Sequence, residues 1–378
     1  MPIRQIIIDD AVPYAAEMFG HLGEVVLLPG KQITPSDVRN ADALIVRSRT
    51  QVNRTLLENS RVRFVGSTVV GLDHIDQTYL QQGGIRFYSA QGCNANSVAE
   101  YIIHILFELA EQHGFDLQSK TLGIIGVGNV GGRLYSKAQT LGIRCLLNDP
   151  PREKNPEDNE LSFVDLDHCL TADIITVHTP LNMDGPDRTF DLIDARRVGR
   201  LSPRQILINA ARGGIINETA WAKQPLLAKI IDCWENEPNI NETLYRSADL
   251  ATPHIAGHSL EAKVAGGEMV YRQLCEYWQI EPETHWQDKL PPDPQPILID
   301  SEQKSDQARL NQLFKSVYDP YCDDAAIRHV QIKQVHQAYE DYRRNYPLRR
   351  EWHRHQVKNP QKPAFSKLLK SLNFITES

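Results

Sequence analysis

Along residues 6–90, short apolar runs at 6–8, 25–28, 43–46, 63–65 and 85–87 alternate with segments of mixed polarity. Strands covered on both faces read as unbroken apolar runs, and strands alternating with helical segments form parallel sheets. Residues 97–113 change period: Val98, Tyr101, Ile102, Ile105, Leu106 and Leu109 recur at helical spacing, which predicts one long linking helix. A second alternating series follows, with strands expected at 122–125, 143–148, 174–178, 205–209 and 229–233 and a helix through 133–140. The helical pattern after Leu260, carried by Val264, Met269, Val270, Leu274 and Tyr277, is placed to return to the first series. At Pro291-Pro292-Asp293-Pro294-Gln295-Pro296 the chain turns proline-rich, the mark of a linker, and a polar stretch rich in arginine follows.

These patterns predict an α/β protein. Two Rossmann-like, doubly wound parallel-sheet lobes are expected around a cleft, with a small C-terminal α+β module. The first lobe is discontinuous and flavodoxin-like, over residues 1–96 and 259–288; the second covers 97–258, and the module 289–378. A chain of 378 residues accommodates this division, since domains run to roughly 100–200 residues.

Composition narrows the function classes. No apolar stretch approaches the ~20 residues that cross a bilayer, so no membrane association is expected. The first strand stops at Asp9-Asp10 without the basic region and long apolar stretch of a secretory signal, which predicts a cytoplasmic protein. Six cysteines lack any metal-type spacing, so neither a disulfide framework nor a metal site is expected. A formal charge of −7 disfavours nucleic acid as a partner, and a phosphorylated small substrate then needs a local basic pocket.

The sharpest motif is Gly126-Val127-Gly128-Asn129-Val130-Gly131, between a predicted strand and a predicted helix. Glycine lets the backbone turn tightly and approach a pyrophosphate, which rests on the N–H groups at the helix start; a plain glycine turn is the alternative. The next strand runs to Asp149, where a carboxylate accepts from ribose hydroxyls and repels a 2′-phosphate, favouring NAD over NADP. Three later segments each follow a strand: Asn209-Ala210-Ala211-Arg212-Gly213-Gly214, Asp232-Cys233-Trp234-Glu235-Asn236-Glu237-Pro238 and Thr252-Pro253-His254-Ile255-Ala256-Gly257. Oxidising a 2-hydroxy acid needs a cation for the substrate carboxylate and a base for its hydroxyl. Arg212 and His254 suit those roles, and Glu237 suits a carboxylate that stabilises the imidazolium.

In that order the three segments resemble the arginine, glutamate and histidine motifs of the D-2-hydroxyacid dehydrogenase family. The resemblance implies Arg212, Glu237 and His254 as the catalytic set. It further nominates Asp149, Thr179, Ala210, Ala211, Arg212, Asp232 and Gly257 beside the glycine turn at an NAD site. Val12-Pro13-Tyr14, Ala43-Leu44-Ile45-Val46-Arg47-Ser48, Gly92-Cys93-Asn94-Ala95, Asn148-Asp149-Pro150-Pro151-Arg152 and Arg349-Arg350-Glu351-Trp352 resemble a subgroup whose C-terminal module serves dimerisation. That implies a homodimer acting on a phosphorylated small 2-hydroxy acid, with Ser48 on the substrate. Arg47 or Arg49 offers charge for the phosphate, an exposed basic strand end being the alternative. Two positions depart from the subgroup: Val69 stands where a Thr is usual, with Thr68 one place earlier, and His258 stands where a Tyr is usual. His258 can still donate a hydrogen bond to substrate, or be an ordinary surface residue. A different 2-hydroxyacid dehydrogenase and a non-catalytic NAD-binding protein remain the rival readings.

Overall fold

The computed structural model describes residues 4–158, 160–299, 305–360 and 362–377. The chain divides into two compact units, one made of the residues up to Asn94 with Ser259–Asp293, the other of Ala95–His258 with the residues from Pro294 onward.

In the first unit, β1 (Gln5–Asp9), β2 (Glu24–Leu28), β3 (Ala43–Val46), β4 (Phe64–Ser67) and β5 (Arg86–Ser89) form one parallel sheet in the order β2-β1-β3-β4-β5. Order reverses between β1 and β3, and such a switch point opens a crevice at the strand C-termini. There Arg47 donates to the Ala11 carbonyl at 2.7 Å. The helix Leu260–Trp278 returns to this sheet, as its periodicity predicts, and lays Val270 so close to Gly66 that no Cβ fits between them.

The second unit holds six parallel strands: β6 (Thr121–Ile125), β7 (Arg144–Asn148), β8 (Ile174–Val177), β9 (Ile206–Asn209), β10 (Ala228–Ile231) and β11 (Leu250–Ala251), in the order β11-β10-β9-β8-β6-β7. An isolated parallel bridge, Leu147 to Phe163, extends the β7 edge and stands where a doubly wound nucleotide domain has its third strand. The switch point lies between β6 and β8. The long helix is Ala95–His113, with Val98 to Ala110 buried throughout.

The C-terminal residues do not stand apart. Helix Asp306–Val317 packs on Ala95–His113 through Phe314, which meets Phe107 edge-on at 5.1 Å and stacks on Trp352 at 4.4 Å. A small parallel sheet, β12 (Ile297–Leu298), β13 (Gln356–Lys358) and β14 (Ile375–Thr376), completes this region. The arginine-rich stretch is only in part a solvated face: Arg344 is exposed, whereas Arg349 is buried, donates to the Ala256 and Ser97 carbonyls at 3.0 and 2.8 Å, and lies over the Tyr318 ring. A guanidinium can be buried there because its forked donors meet two carbonyls while its plane meets an aromatic face.

Candidate active site

At the end of β6 the chain reverses through Gly126, at φ 86°, where an added Cβ would meet the Thr179 nitrogen at 2.7 Å. Gly131 lies against the Gly126 carbonyl and again leaves no room for a side chain, so helix Asn129–Thr140 starts hard upon the turn, four residues before the expected start. Nothing stands within 4 Å of a Cβ placed on Gly128, which is exposed with Asn129. The first helical turn, from Asn129, begins beside this open space, and a helix start of this kind favours an anion. Asp149, just past β7, caps the next short helix at Arg152 N and accepts from the Val127 N–H at 2.8 Å, tying the glycine turn to its own strand end. Thr179, after β8, has a buried hydroxyl with no hydrogen-bond partner among the described residues. A buried hydroxyl left unpaired costs stability, so one at the rim of a glycine turn fits a ligand that completes it. These features together fit a dinucleotide.

Beyond β9 the Asn209 side chain folds the turn that carries Arg212: its amide donates to the Arg212 and Cys233 carbonyls at 2.9 and 3.2 Å and accepts from Ala211 N at 3.1 Å. Arg212 is half-buried, with Nη1 on the Ala211 carbonyl at 2.8 Å. Gly213 touches the backbone of Trp234 and Glu235 so closely that a Cβ would collide with both. The Arg212 turn and the Glu237 turn are thus in direct backbone contact.

Asp232, at the end of β10, is buried, and its carboxylate accepts from the Thr252 hydroxyl at 2.7 Å, Ile255 N at 2.8 Å and Ala256 N at 3.1 Å. Those bonds shape the loop after β11 that holds Ala256, Gly257 and His258, and force His254 to φ 53°. A β-carbon-bearing residue held in the left-handed region stores strain that the surroundings must impose, a feature that gathers at functional sites. His254 Nδ1 meets Glu237 Oε2 at 2.9 Å and Oε1 at 3.1 Å, and the Trp234 N–H donates to Oε1 at 2.7 Å. Burial alone would push the Glu237 carboxyl up; His254, Arg343 and the Trp234 N–H override it and hold the group at about 2. Glu237 is therefore a carboxylate at neutral pH. With Nδ1 engaged, Nε2 is the imidazole nitrogen left to exchange a proton with a ligand.

Cys233, Glu237 and His254 bring their donor atoms within 4.8 Å of one another. They suit a metal poorly, since burial holds the Cys233 thiol protonated and the Glu237 carboxylate already serves His254 and Trp234.

In the first unit, Arg47 and exposed Ser48 follow β3 at the switch point, with Arg49 beside them. Thr68 sits after β4, but its hydroxyl turns inward to the Val46 carbonyl at 3.3 Å. His258 belongs to the second unit and packs edge-on against Tyr346 at 5.4 Å.

A family model for the NAD-binding domain of D-isomer-specific 2-hydroxyacid dehydrogenases matches residues 104–256, and a domain of unknown function matches 290–372. Erythronate-4-phosphate dehydrogenase of Hydrogenovibrio crunogenus is 56% identical over 99% of both chains. That of Ruthia magnifica is 48% identical over 92% of this chain and 96% of its own. The chain belongs to the erythronate-4-phosphate dehydrogenases, within the D-isomer-specific 2-hydroxyacid dehydrogenase family. As a member of that family it is an NAD-dependent oxidoreductase. The NAD-bound 3-phosphoglycerate dehydrogenase of Entamoeba histolytica shares the fold, with a TM-score of 0.62 at 24% identity over 73% of this chain and 96% of that one.

Three residues of this dehydrogenase's site were not singled out by its sequence. Asn209 and Glu218 shape the two turns, Glu218 by accepting from Glu235 N at 2.6 Å. Their polar burial has no local signature. Arg343 places Nη1 3.6 Å from Glu237 Oε2 and comes from a helix about a hundred residues further along, so no spacing rule reaches it.

Proposed function

We propose that this dehydrogenase oxidises 4-phospho-D-erythronate to 2-oxo-3-hydroxy-4-phosphobutanoate in the route to pyridoxal 5′-phosphate, with Arg212, Glu237 and His254 as its catalytic set. The observation that carries the assignment of roles is the Glu237–His254 pair at 2.9 Å, on a turn in backbone contact with the one that bears Arg212. His254 Nε2 takes the proton of the C2 hydroxyl. Glu237, charged at neutral pH, stabilises the imidazolium that results. Arg212 binds the substrate carboxylate through its planar fork and so fixes which face of C2 is presented. NAD, when bound, accepts the hydride from C2.

The cofactor is held by Gly126, Gly128, Asn129, Val130 and Gly131 at the pyrophosphate and by Asp149 at the adenosine ribose. Thr179, Ala210, Ala211, Arg212 and Gly257 line the same strand ends, and Asp232 contributes by fixing the loop. Ser48, Arg47 and His258 are the substrate residues, and the charge of Arg47 suits a phosphate; Thr68 spends its hydroxyl on the Val46 carbonyl and supports the loop instead. The enzyme works in the cytoplasm as a homodimer through its C-terminal region, where Leu298, Leu348 and Ile375 are exposed. Among the described residues, no helix is long and apolar enough to cross a membrane.

The test is NADH formation with 4-phosphoerythronate, 3-phosphoglycerate and unphosphorylated erythronate, on the wild type and on His254→Ala. Strong preference for the first substrate, with a fall of roughly 10²–10⁴-fold in His254→Ala, is expected. Indifference to the phosphate overturns the substrate, and an active His254→Ala overturns the roles.

A further inference from the structure

The helix Val335–Arg344 lies against the Glu237 turn at three points. Tyr339 is buried in the apolar cluster that contains Trp234 and Tyr245. His336 Nδ1 meets Asn239 Oδ1 at 3.0 Å. Arg343 places Nη1 3.6 Å from Glu237 Oε2, the oxygen that also faces His254 at 2.9 Å, and its guanidinium lies over the Tyr339 ring. The helix is itself held in place. Asp323 accepts from the hydroxyls of Tyr342 at 2.6 Å and Tyr346 at 2.9 Å, while Arg328 donates to the Tyr245 and Ala248 carbonyls. Asp324 accepts from Ala251 N at 2.6 Å, joining the same region to β11.

We propose that Arg343 is a positioning residue for the oxidation, supplied by the C-terminal region of the chain: it holds the Glu237 carboxylate in its orientation and sets how strongly that carboxylate stabilises the imidazolium formed on His254. The proposal rests on the roles given above to Glu237 and His254. A permanent positive charge beside Oε2 offsets part of the negative charge that faces the imidazole, so the imidazolium is stabilised less than it would be by Glu237 alone. For an oxidation this matters, because the base must be proton-free before each turnover and must surrender its proton afterwards. Among the described residues, other charged and titratable groups around the pair include Cys233, Asp232, Glu218, Glu235, Tyr339, Arg212 and, on the Arg343 helix, His336. Of these Arg212 is a permanent cation, and it is reserved for substrate.

The experiment is the pH profile of kcat/KM for 4-phosphoerythronate oxidation, measured on the wild type, Arg343→Gln, Arg343→Lys and His254→Ala. In Arg343→Gln the cation beside Oε2 is gone and more of the Glu237 charge faces the imidazole. The acid limb is expected to move to higher pH by about half to one unit, with kcat reduced roughly 3–30-fold and thermal unfolding little changed. Arg343→Lys restores the charge without the fork and is expected to bring the limb back towards the wild-type position while recovering only part of kcat. A limb that stays in place in Arg343→Gln, or that moves equally in both variants, overturns the proposal. Should Arg343→Gln fail to fold, the same limb is read on Arg343→Met, where a limb at the wild-type position overturns the proposal. An inactive His254→Ala beside an unmoved limb leaves the catalytic assignment standing and removes Arg343 alone; an active His254→Ala removes the assignment itself.

Discussion

At the end of β6 the loop of the second unit is shaped chiefly by glycine backbone, whereas at the ends of β9, β10 and β11 the loops are shaped by buried side chains. Gly126 turns at a φ that few other residues adopt, Gly131 lets the helix start against it, and Gly128 leaves open space beside the helix start. Across the switch point, Asn209 folds the Arg212 turn, Asp232 gathers the loop of His254, and Glu218 supports Glu235. Backbone suits an extended anion, since a row of N–H groups meets it without ordering any long side chain. Proton transfer demands one nitrogen at one place, which a carboxylate with several buried donors supplies. The second arrangement is the more fragile, because Asn209 and Asp232 each serve several bonds at once.

The largest effect is therefore expected at Asp232. Asp232→Ala removes the acceptor of three buried donors, and about 3–5 kcal/mol of stability should be lost, read as a lower urea midpoint at unchanged slope. A loss below about 1 kcal/mol would break the contrast between the two halves. On the backbone-built side, effects should fall on the cofactor instead. Asp149→Ser removes the charge that would oppose a 2′-phosphate, so kcat/KM with NADP relative to NAD should rise about tenfold or more. An unchanged ratio would place the ribose elsewhere. Smallest of all is Thr179→Val: its hydroxyl has no partner among the described residues, so unfolding should stay within about 0.5 kcal/mol of wild type. The KM for NAD should rise roughly two- to tenfold, and a loss of stability without a change in KM would mean that the hydroxyl serves the fold.

The same contrast explains what could be read from the chain unaided. Strands β1 to β10 and the glycine turn are local in origin, each being an apolar run or a short glycine pattern, and all appear near their expected places. β11 is two residues long and the third strand of the nucleotide half is a single bridge at Phe163, both too short to leave a period. Arg212, Glu237 and His254 stand on separate loops, and only the folded sheet decides that Gly213 abuts Trp234 or that Nδ1 meets Glu237. Arg349 misleads most: hydrophilic in sequence, it is interior in the structure because Ser97, Ala256 and Tyr318 receive it.

Neither unit is continuous along the chain, and this bears on how the protein is made. The sheet of the first unit is complete once Ser89 has been synthesised, yet the helix that covers it ends at Trp278. At ~5–20 residues per second, the intervening stretch of about 190 residues takes on the order of 10–40 s to emerge from a ribosome. The helix Ala95–His113 waits longer still for Phe314 and Trp352. Throughout that interval two apolar faces lack their final cover, so a nascent chain of this dehydrogenase should engage ribosome-associated chaperones from about Ser89 onward and release them only after Trp352 has emerged.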